Sequence, residues 1–162
     1  MDLIIDSSTY GSGGAKRHLR ELLRYFIYNE TKFSKVFLWG PKSILEDMPD
    51  SEFIIKKTHF LLNNGSFLIL IWQFFFRDYM FKRKDIIVFS PFGNYFGKLR
   101  PFVSMSRNML MFEKKQREKF GFSMDRLKLF ILKQLQSISF RTSDGLIFIS
   151  EYAKKIIVDD LN

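Results

Sequence analysis

Residues 3–14, LIIDSSTYGSGG, join a short apolar run to a glycine-rich segment, and residues 15–28, AKRHLRELLRYFIY, continue with a helical pattern. The order predicts a β-strand, a glycine-rich turn and an α-helix. Glycine lets the backbone approach a ligand closely, and a helix that begins there offers unpaired N–H groups to an anion. The stretch is therefore either a seat for a phosphate or sugar phosphate, or simply a flexible turn.

The spacing of these glycines matches neither of two familiar phosphate-binding motifs. The dinucleotide fingerprint GxGxxG needs a glycine where Lys16 stands, three residues after Gly13. No Gly-Lys-Ser/Thr sequence ends the loop, so the P-loop pattern fails as well. The glycines alone leave both interpretations open.

The composition is that of one basic domain. The chain has 162 residues, 46% of them hydrophobic, and its 26 Lys and Arg against 17 Asp and Glu give a formal charge of +9. This charge favours anionic partners such as phosphorylated ligands, acidic lipids or nucleic acid. There is no cysteine, and no signal-like segment precedes the first strand, so a cytoplasmic protein is predicted. The longest apolar run, residues 67–76, is too short to span a bilayer and is predicted as a buried helix rather than a membrane-dipping one.

Strands and helices alternate along the whole chain. Apolar runs predict strands at 3–5, 36–39, 53–55, 85–89, 101–105 and 145–149. Helices are predicted at 15–28, at 66–84 with Ser66 as the cap, at 114–140 with a break near Gly121, and after the cap Ser150. The alternation predicts an α/β fold, a Rossmann-like parallel sheet with helices on both faces, and ligands at the carboxyl ends of the strands.

Few polar residues of the expected loops indicate chemistry by themselves. His18 lies one turn into the first helix and either faces the anion seat or is solvated. Two distant histidines and no cysteine predict no metal site. Residues Lys114 to Arg141 hold eight basic residues against two acidic ones. With the interleaved aromatic residues, they form either a cationic face for anionic lipid headgroups or an amphipathic helix packed on the sheet.

Three segments form one pattern: residues 11–19 (GSGGAKRHL), 106–113 (SRNMLMFE) and 143–150 (SDGLIFIS). Together, and in this order, they resemble the N-terminal half of a retaining GT-B glycosyltransferase. The similarity is closest to the bacterial family 4 enzymes, called group 1 in older naming, that build surface polysaccharides. The middle segment is the most specific, and Met111 departs from it, because the family usually has proline there.

The resemblance implies roles for particular residues. The glycine-rich loop of the family lies near the donor diphosphate, so Gly13 and Gly14 would bind there, with Arg17 and His18 as neighbours. Asn108 would lie on the acceptor side of the cleft. In GT-B enzymes a second domain carries the nucleotide-sugar pocket and a pair of glutamates. We expect residues 1–162 to be a single N-terminal domain that lacks this donor-binding domain, inactive alone, with the missing half lost or encoded separately.

The function implied by the resemblance is transfer of a sugar from a nucleotide-sugar donor to a lipid-linked or polysaccharide acceptor in surface-glycan biosynthesis. No metal or other cofactor is expected. The protein would be cytoplasmic and peripheral to the inner membrane, with Lys114 to Arg141 contacting the lipid surface. The alternative is a non-catalytic module that binds anionic membranes or nucleic acid. No recognised nucleic-acid-binding module is visible in the sequence, so no nucleic-acid partner is predicted.

Overall fold

Six parallel strands, counted within the described part of the chain, form the centre of the fold. The computed structural model describes residues 1–9, 14–28, 31–81, 85–113, 116, 119, 121 and 123–161. The strands pair in the order β3-β2-β1-β4-β5-β6, all in parallel, which confirms the predicted α/β Rossmann-like fold. The strands are β1 (Asp2–Asp6), β2 (Val36–Trp39), β3 (Ile54–Lys57), β4 (Ile86–Ser90), β5 (Phe102–Ser106) and β6 (Gly145–Phe148).

Both faces of the sheet are buried, which is why its strands are continuous apolar runs. Successive side chains of a strand point to opposite faces. In β1, Leu3 and Ile5 pack with Leu19 and Leu23 of the first helix on one face. Ile4 faces the other way, into a cluster with Trp72 and Phe81. Helices therefore cover both faces of the sheet, as predicted.

The sequence predicts two N-cap residues, and the structure confirms one of them. Ser150 caps the last helix as predicted, because its Oγ accepts the Ala153 N–H at 3.1 Å. The prediction for Ser66 is wrong: Gly65, with a φ of +98°, is the cap, and Ser66 is already helical. The helices are α1 (Gly14–Tyr28), α2 (Lys42–Leu45), α3 (Ser66–Ile71), α4 (Arg77–Met80), α5 (Met124–Arg141) and α6 (Glu151–Leu161), with a 3-10 turn at Phe60–Asn63 and a π-helical turn at Trp72–Phe76.

The apolar run 67–76 is only half buried, so its prediction as a buried helix needs correction. Trp72 and Gln73 are buried against the sheet, whereas Phe67 and Phe75 are 74% and 78% exposed. A helix packed on one face of a sheet can bury only one of its sides. The surplus phenylalanines of this run therefore face outward.

The helix predicted from Lys114 is shorter in the part that the structure describes. Positions 114, 115, 117, 118, 120 and 122 lie outside it, and α5 begins at Met124. Gly121 has a φ of +54°, a left-handed conformation that interrupts a helix at the predicted place. Ser123 caps α5 by accepting the Arg126 N–H at 3.2 Å. Within the described ranges, no helix is long and apolar enough to cross a membrane.

Candidate functional site

A cavity of about 790 Å³ opens at the carboxyl edge of the sheet, beside the point where β1 and β4 meet and the strand order reverses. Open α/β sheets place their ligands in this crevice. The segments after β1, β4 and β5 contribute to it, as do the helical segment 69–73 and α5. Its lining residues are Ser8, Thr9, Ala15, Ile69, Leu70, Gln73, Phe92, Asn94, Phe96, Arg107, Asn108, Met111, Met124, Leu127, Lys128, Ile131, Leu132, Leu135 and Gln136.

Arg107 connects two of the segments that carry the resemblance. It directly follows β5, and its Nη2 donates to the carbonyl oxygen of Gly14, the first residue of α1, at 3.3 Å. Its Nη1 is buried and has no partner among the residues that the structure describes, and burial lowers the pKa of the guanidinium. A cation with a free N–H beside a helix N-terminus is suited to bind an anion.

His18 lies on α1 near this cation. Its pKa is lowered, first by burial and then by the positive charge of Arg107. Its Nε2 is buried and lacks a partner in the described ranges. Both perturbing causes favour the neutral ring, so His18 offers the site a neutral donor or acceptor rather than a second positive charge.

The structure brings together only some of the residues predicted for the site. Gly14 and His18 adjoin Arg107, and Asn108 lines the cavity with its Oδ1 accepting the Leu110 N–H at 3.0 Å. Arg17 is exposed on α1 and is not part of the cavity lining. Gly13 lies outside the described residues.

A buried ion pair beside the cavity connects β1 to α4. Asp6 Oδ2 and Arg77 Nη1 are 3.2 Å apart, and both side chains are fully buried. The other carboxylate oxygen of Asp6 accepts the backbone N–H of Ser8 at 3.0 Å and also its hydroxyl. Gln73 Nε2 donates to Ser8 Oγ at 2.9 Å. The Arg77 guanidinium also lies 4.0 Å above the ring of Tyr95, and burial raises the pKa of that phenol.

Sequence reasoning missed several of these residues for different reasons. Arg107 stands next to Asn108, directly after a strand. Because ligands bind at the carboxyl ends of parallel strands, this position alone could have identified Arg107. Gln73 is the lone polar residue of an apolar run, which is a visible signal of a buried partner. Gln136 lies on a long helix among other polar residues, and nothing in the sequence distinguishes it. Among the described residues there is no cluster of three groups that could hold a metal ion.

Comparison with known proteins gives no independent assignment. No protein-family model matches the chain, and neither the curated proteins nor the solved structures yielded a match. A functional proposal therefore rests on the resemblance of the three segments and on the geometry of the cavity around Arg107.

The first prediction concerns the buried ion pair. Arg77→Leu leaves the Asp6 carboxylate buried without its cation, and we expect the free energy of unfolding to fall by about 3–5 kcal/mol. Urea unfolding measures the loss. The matched control is Arg24→Leu, which removes an exposed ion pair with Glu21 and should cost less than about 1 kcal/mol. The double variant Asp6→Asn/Arg77→Leu should recover part of the loss; equal costs for Arg77→Leu and Arg24→Leu would contradict this role.

The second prediction uses the lowered pKa of His18. At pH values below 6.5, the ordinary pKa of histidine, His18 binds a proton more readily in the unfolded chain than in the folded chain. The free energy of unfolding therefore falls as the pH falls from neutrality through 6.5. The decline ends once the pH is below the folded-state pKa. In His18→Gln this contribution disappears. A series of urea titrations from neutral to acidic pH should then show a free energy of unfolding that depends less on pH. Identical pH profiles for the two proteins would show that His18 is not perturbed.

Proposed function

We propose that this chain is the N-terminal, acceptor-side domain of a GT-B glycosyltransferase similar to the retaining enzymes of bacterial family 4. It would take part in transfer of a sugar from a nucleotide-sugar donor to a lipid-linked or polysaccharide acceptor in surface-glycan biosynthesis. The hydrogen bond between Arg107 and Gly14 is the observation that carries this proposal. It joins two residues that are 93 positions apart, each in a segment that resembles the family, at the edge of the sheet where a donor diphosphate would lie.

The third segment of the resemblance supports the same arrangement. Tyr152, just after it, donates to Glu113 Oε1 of the middle segment at 3.2 Å. Phe112 packs in one cluster with Leu146 and Phe148, which lie in the third segment. The described residues of the three segments therefore lie in contact near the carboxyl edge of the sheet.

The residues of the site have distinct tasks in this proposal. Arg107 and the N-terminus of α1 bind the anionic diphosphate of the donor, because charge-assisted hydrogen bonds to phosphate are strong and directional. Asn108 and the amides that line the cavity orient hydroxyl groups of the acceptor. The donor pocket and the glutamates of such enzymes belong to a second domain, so catalysis requires one, on the same polypeptide or on another.

A contact with an anionic membrane is a second property that a specific observation favours. Several aromatic side chains of residues 60–79 are each more than half exposed, and we call them the aromatic ridge: Phe60, Phe67, Phe74, Phe75 and Tyr79. Exposed apolar patches of this kind mark interaction surfaces, and the net charge of +9 complements acidic lipids.

The helix α5 belongs to the region expected at the membrane, and its two ends have different surroundings. Near its C-terminal end, Lys133 binds Asp160, and Arg141 donates to the Leu161 carbonyl at 2.9 Å, so these two cations anchor α6. Phe140 is buried at the same end, whereas Met124 and Leu127 near the N-terminal end are exposed. The contacts near the C-terminal end favour the packed amphipathic helix among the two alternatives for residues 114–141, whereas Met124 and Leu127 line the cavity described above.

The third prediction tests sugar transfer. The chain, with and without a candidate donor-binding domain, is incubated with a panel of nucleotide sugars and glycolipid or glycan acceptors. Transfer is expected only when the second domain is present. In that assembly Arg107→Ala should weaken donor binding about tenfold to a hundredfold, the value of a lost hydrogen bond to a charged group of about 1.5–3 kcal/mol.

The control for that experiment is Arg24→Ala, which removes an exposed arginine farther along α1, where it pairs with Glu21. It should leave donor binding unchanged. Absence of transfer for every donor, acceptor and second domain would overturn the proposed activity. Equal donor binding by Arg107→Ala and the unaltered chain would remove the role of Arg107.

The fourth prediction tests the membrane contact. Phe75→Asp should reduce binding to vesicles that contain anionic phospholipid about tenfold or more, because an inserted phenylalanine contributes about 1.5–3 kcal/mol. Tyr25→Asp changes an aromatic residue that is 61% exposed on α1, away from the ridge, and should bind as the unaltered chain does. Cosedimentation measures both. Equal binding by the two variants would contradict a role for the ridge.

A further inference from the structure

We infer that the cavity binds an anionic amphiphile, a molecule with a phosphate head and a single flexible apolar chain, and that Lys128 binds the phosphate. The inference narrows the proposed acceptor to a phosphate-linked lipid and rests on the proposed function in that respect. Binding of such a molecule is measurable without any transfer reaction. The charges of the lining, one face of α5 and a stacked pair of rings support the inference.

The charged residues that line the cavity all have the same sign. They are Arg107 and Lys128, and among the described residues no carboxylate joins them in the lining. A cleft that carries one sign of charge concentrates ligands of the opposite sign. A cationic head would be repelled here, and an uncharged head would gain no ion pair with either cation. The lining therefore favours an anionic head.

Lys128 is the cation that remains for this head. Arg107 follows β5 and has the donor diphosphate as its proposed partner, whereas Lys128 belongs to α5. Lys128 is exposed, and within the described ranges it forms no ion pair, whereas Lys133 on the same helix pairs with Asp160. The two cations of the lining therefore come from different elements, and the donor and the acceptor would each bind one of them.

One face of α5 combines Lys128 with the apolar part of the lining. The residues of this helix that line the cavity recur every three or four positions: Met124, Leu127, Lys128, Ile131, Leu132, Leu135 and Gln136. Residues at this spacing share one side of an α-helix. Leu127 and Ile131 are about half exposed, so contact with an apolar chain would remove their surface from water. A free phosphate would leave that surface exposed, so this face favours a head that carries a chain.

The cavity adjoins the aromatic ridge, which indicates a membrane lipid as the source of the chain. Phe96 lines the cavity and stacks on Phe74 of the ridge, with the ring centroids 5.0 Å apart. Ile69 and Leu70 line the cavity from α3, the helix that also carries Phe67 of the ridge. Apolar residues of the cavity and of the ridge are therefore neighbours. The volume of about 790 Å³ lies within the range of ligand pockets.

The fifth prediction is tested with n-octyl phosphate below its micelle concentration, by calorimetry on the chain as it exists. We expect it to bind at least about tenfold more tightly than inorganic phosphate, because each buried methylene adds to the affinity. It should also bind at least about tenfold more tightly than octyl glucoside and octyltrimethylammonium, which carry the same chain on an uncharged and a cationic head. Lys128→Glu should weaken binding of octyl phosphate about tenfold, because it replaces the cation by a like charge.

Lys155→Glu is the matched control for the charge. Lys155 is exposed on α6, lies outside the cavity lining, and its substitution changes the net charge by the same amount. It should bind octyl phosphate as the unaltered chain does. The inference is overturned if inorganic phosphate or octyl glucoside binds as well as octyl phosphate, or if the two lysine variants lose the same affinity.

A second pair of variants tests the apolar face without a change of charge. Ile131→Ser should weaken binding of octyl phosphate about fivefold, because it removes apolar surface from the lining. Ile138 lies on the same helix, is 51% exposed against 49% for Ile131, and is not part of the lining. Ile138→Ser should therefore bind as the unaltered chain does. Equal losses in the two isoleucine variants would contradict binding of the chain along α5.

The two proposals fail in different ways. Specific binding of octyl phosphate without transfer to any acceptor would remove the proposed function and keep the amphiphile site. Transfer to an acceptor that has neither phosphate nor apolar chain, together with no binding of octyl phosphate, would keep the proposed function and remove the amphiphile site.

Discussion

The ion pair between Asp6 and Arg77 is the interaction on which the rest of the site depends. Both groups are fully removed from water, and without its partner each would be an uncompensated buried charge. The pair joins the end of β1 to α4, which belongs to the segment on the face of the sheet opposite α1. Through Asp6 it fixes Ser8, and through Ser8 it fixes the amide of Gln73. The shape of the cavity floor therefore follows from one pair of charges.

The parallel sheet explains why residues far apart in sequence meet at one cavity. All six strands end at the same edge, so the segments after β1, β4 and β5 converge there. The reversal of strand order between β1 and β4 opens the space, and Arg107 connects two of the converging segments. Many chemistries use this architecture, so the fold alone assigns none of them. The assignment rests on which side chains face the space and on what each one still needs as a partner.

Much of the fold could be predicted from the sequence because it depends on local signals. Apolar, β-branched runs mark the strands, and Ser150 marks the start of the last helix through a hydrogen bond that spans three residues. The site could be predicted only in part, because it depends on distant contacts. Arg107 donates to Gly14, which is remote in sequence, and the phenylalanines of run 67–76 are exposed because a helix on a sheet has one covered side. The prediction for Ser66 failed because the cap at Gly65 needs a positive φ.

The π-helical turn at Trp72–Phe76 holds one residue more than an α-helical turn needs. The Arg77 N–H reaches back five residues to the Trp72 carbonyl, and both side chains are fully buried on the same side of the segment. Loss of one residue from the turn would close it into an ordinary α-helical turn, and the rest of the segment would keep its direction. The segment therefore has one place at which its length can change by a residue during divergence without moving Arg77 from Asp6.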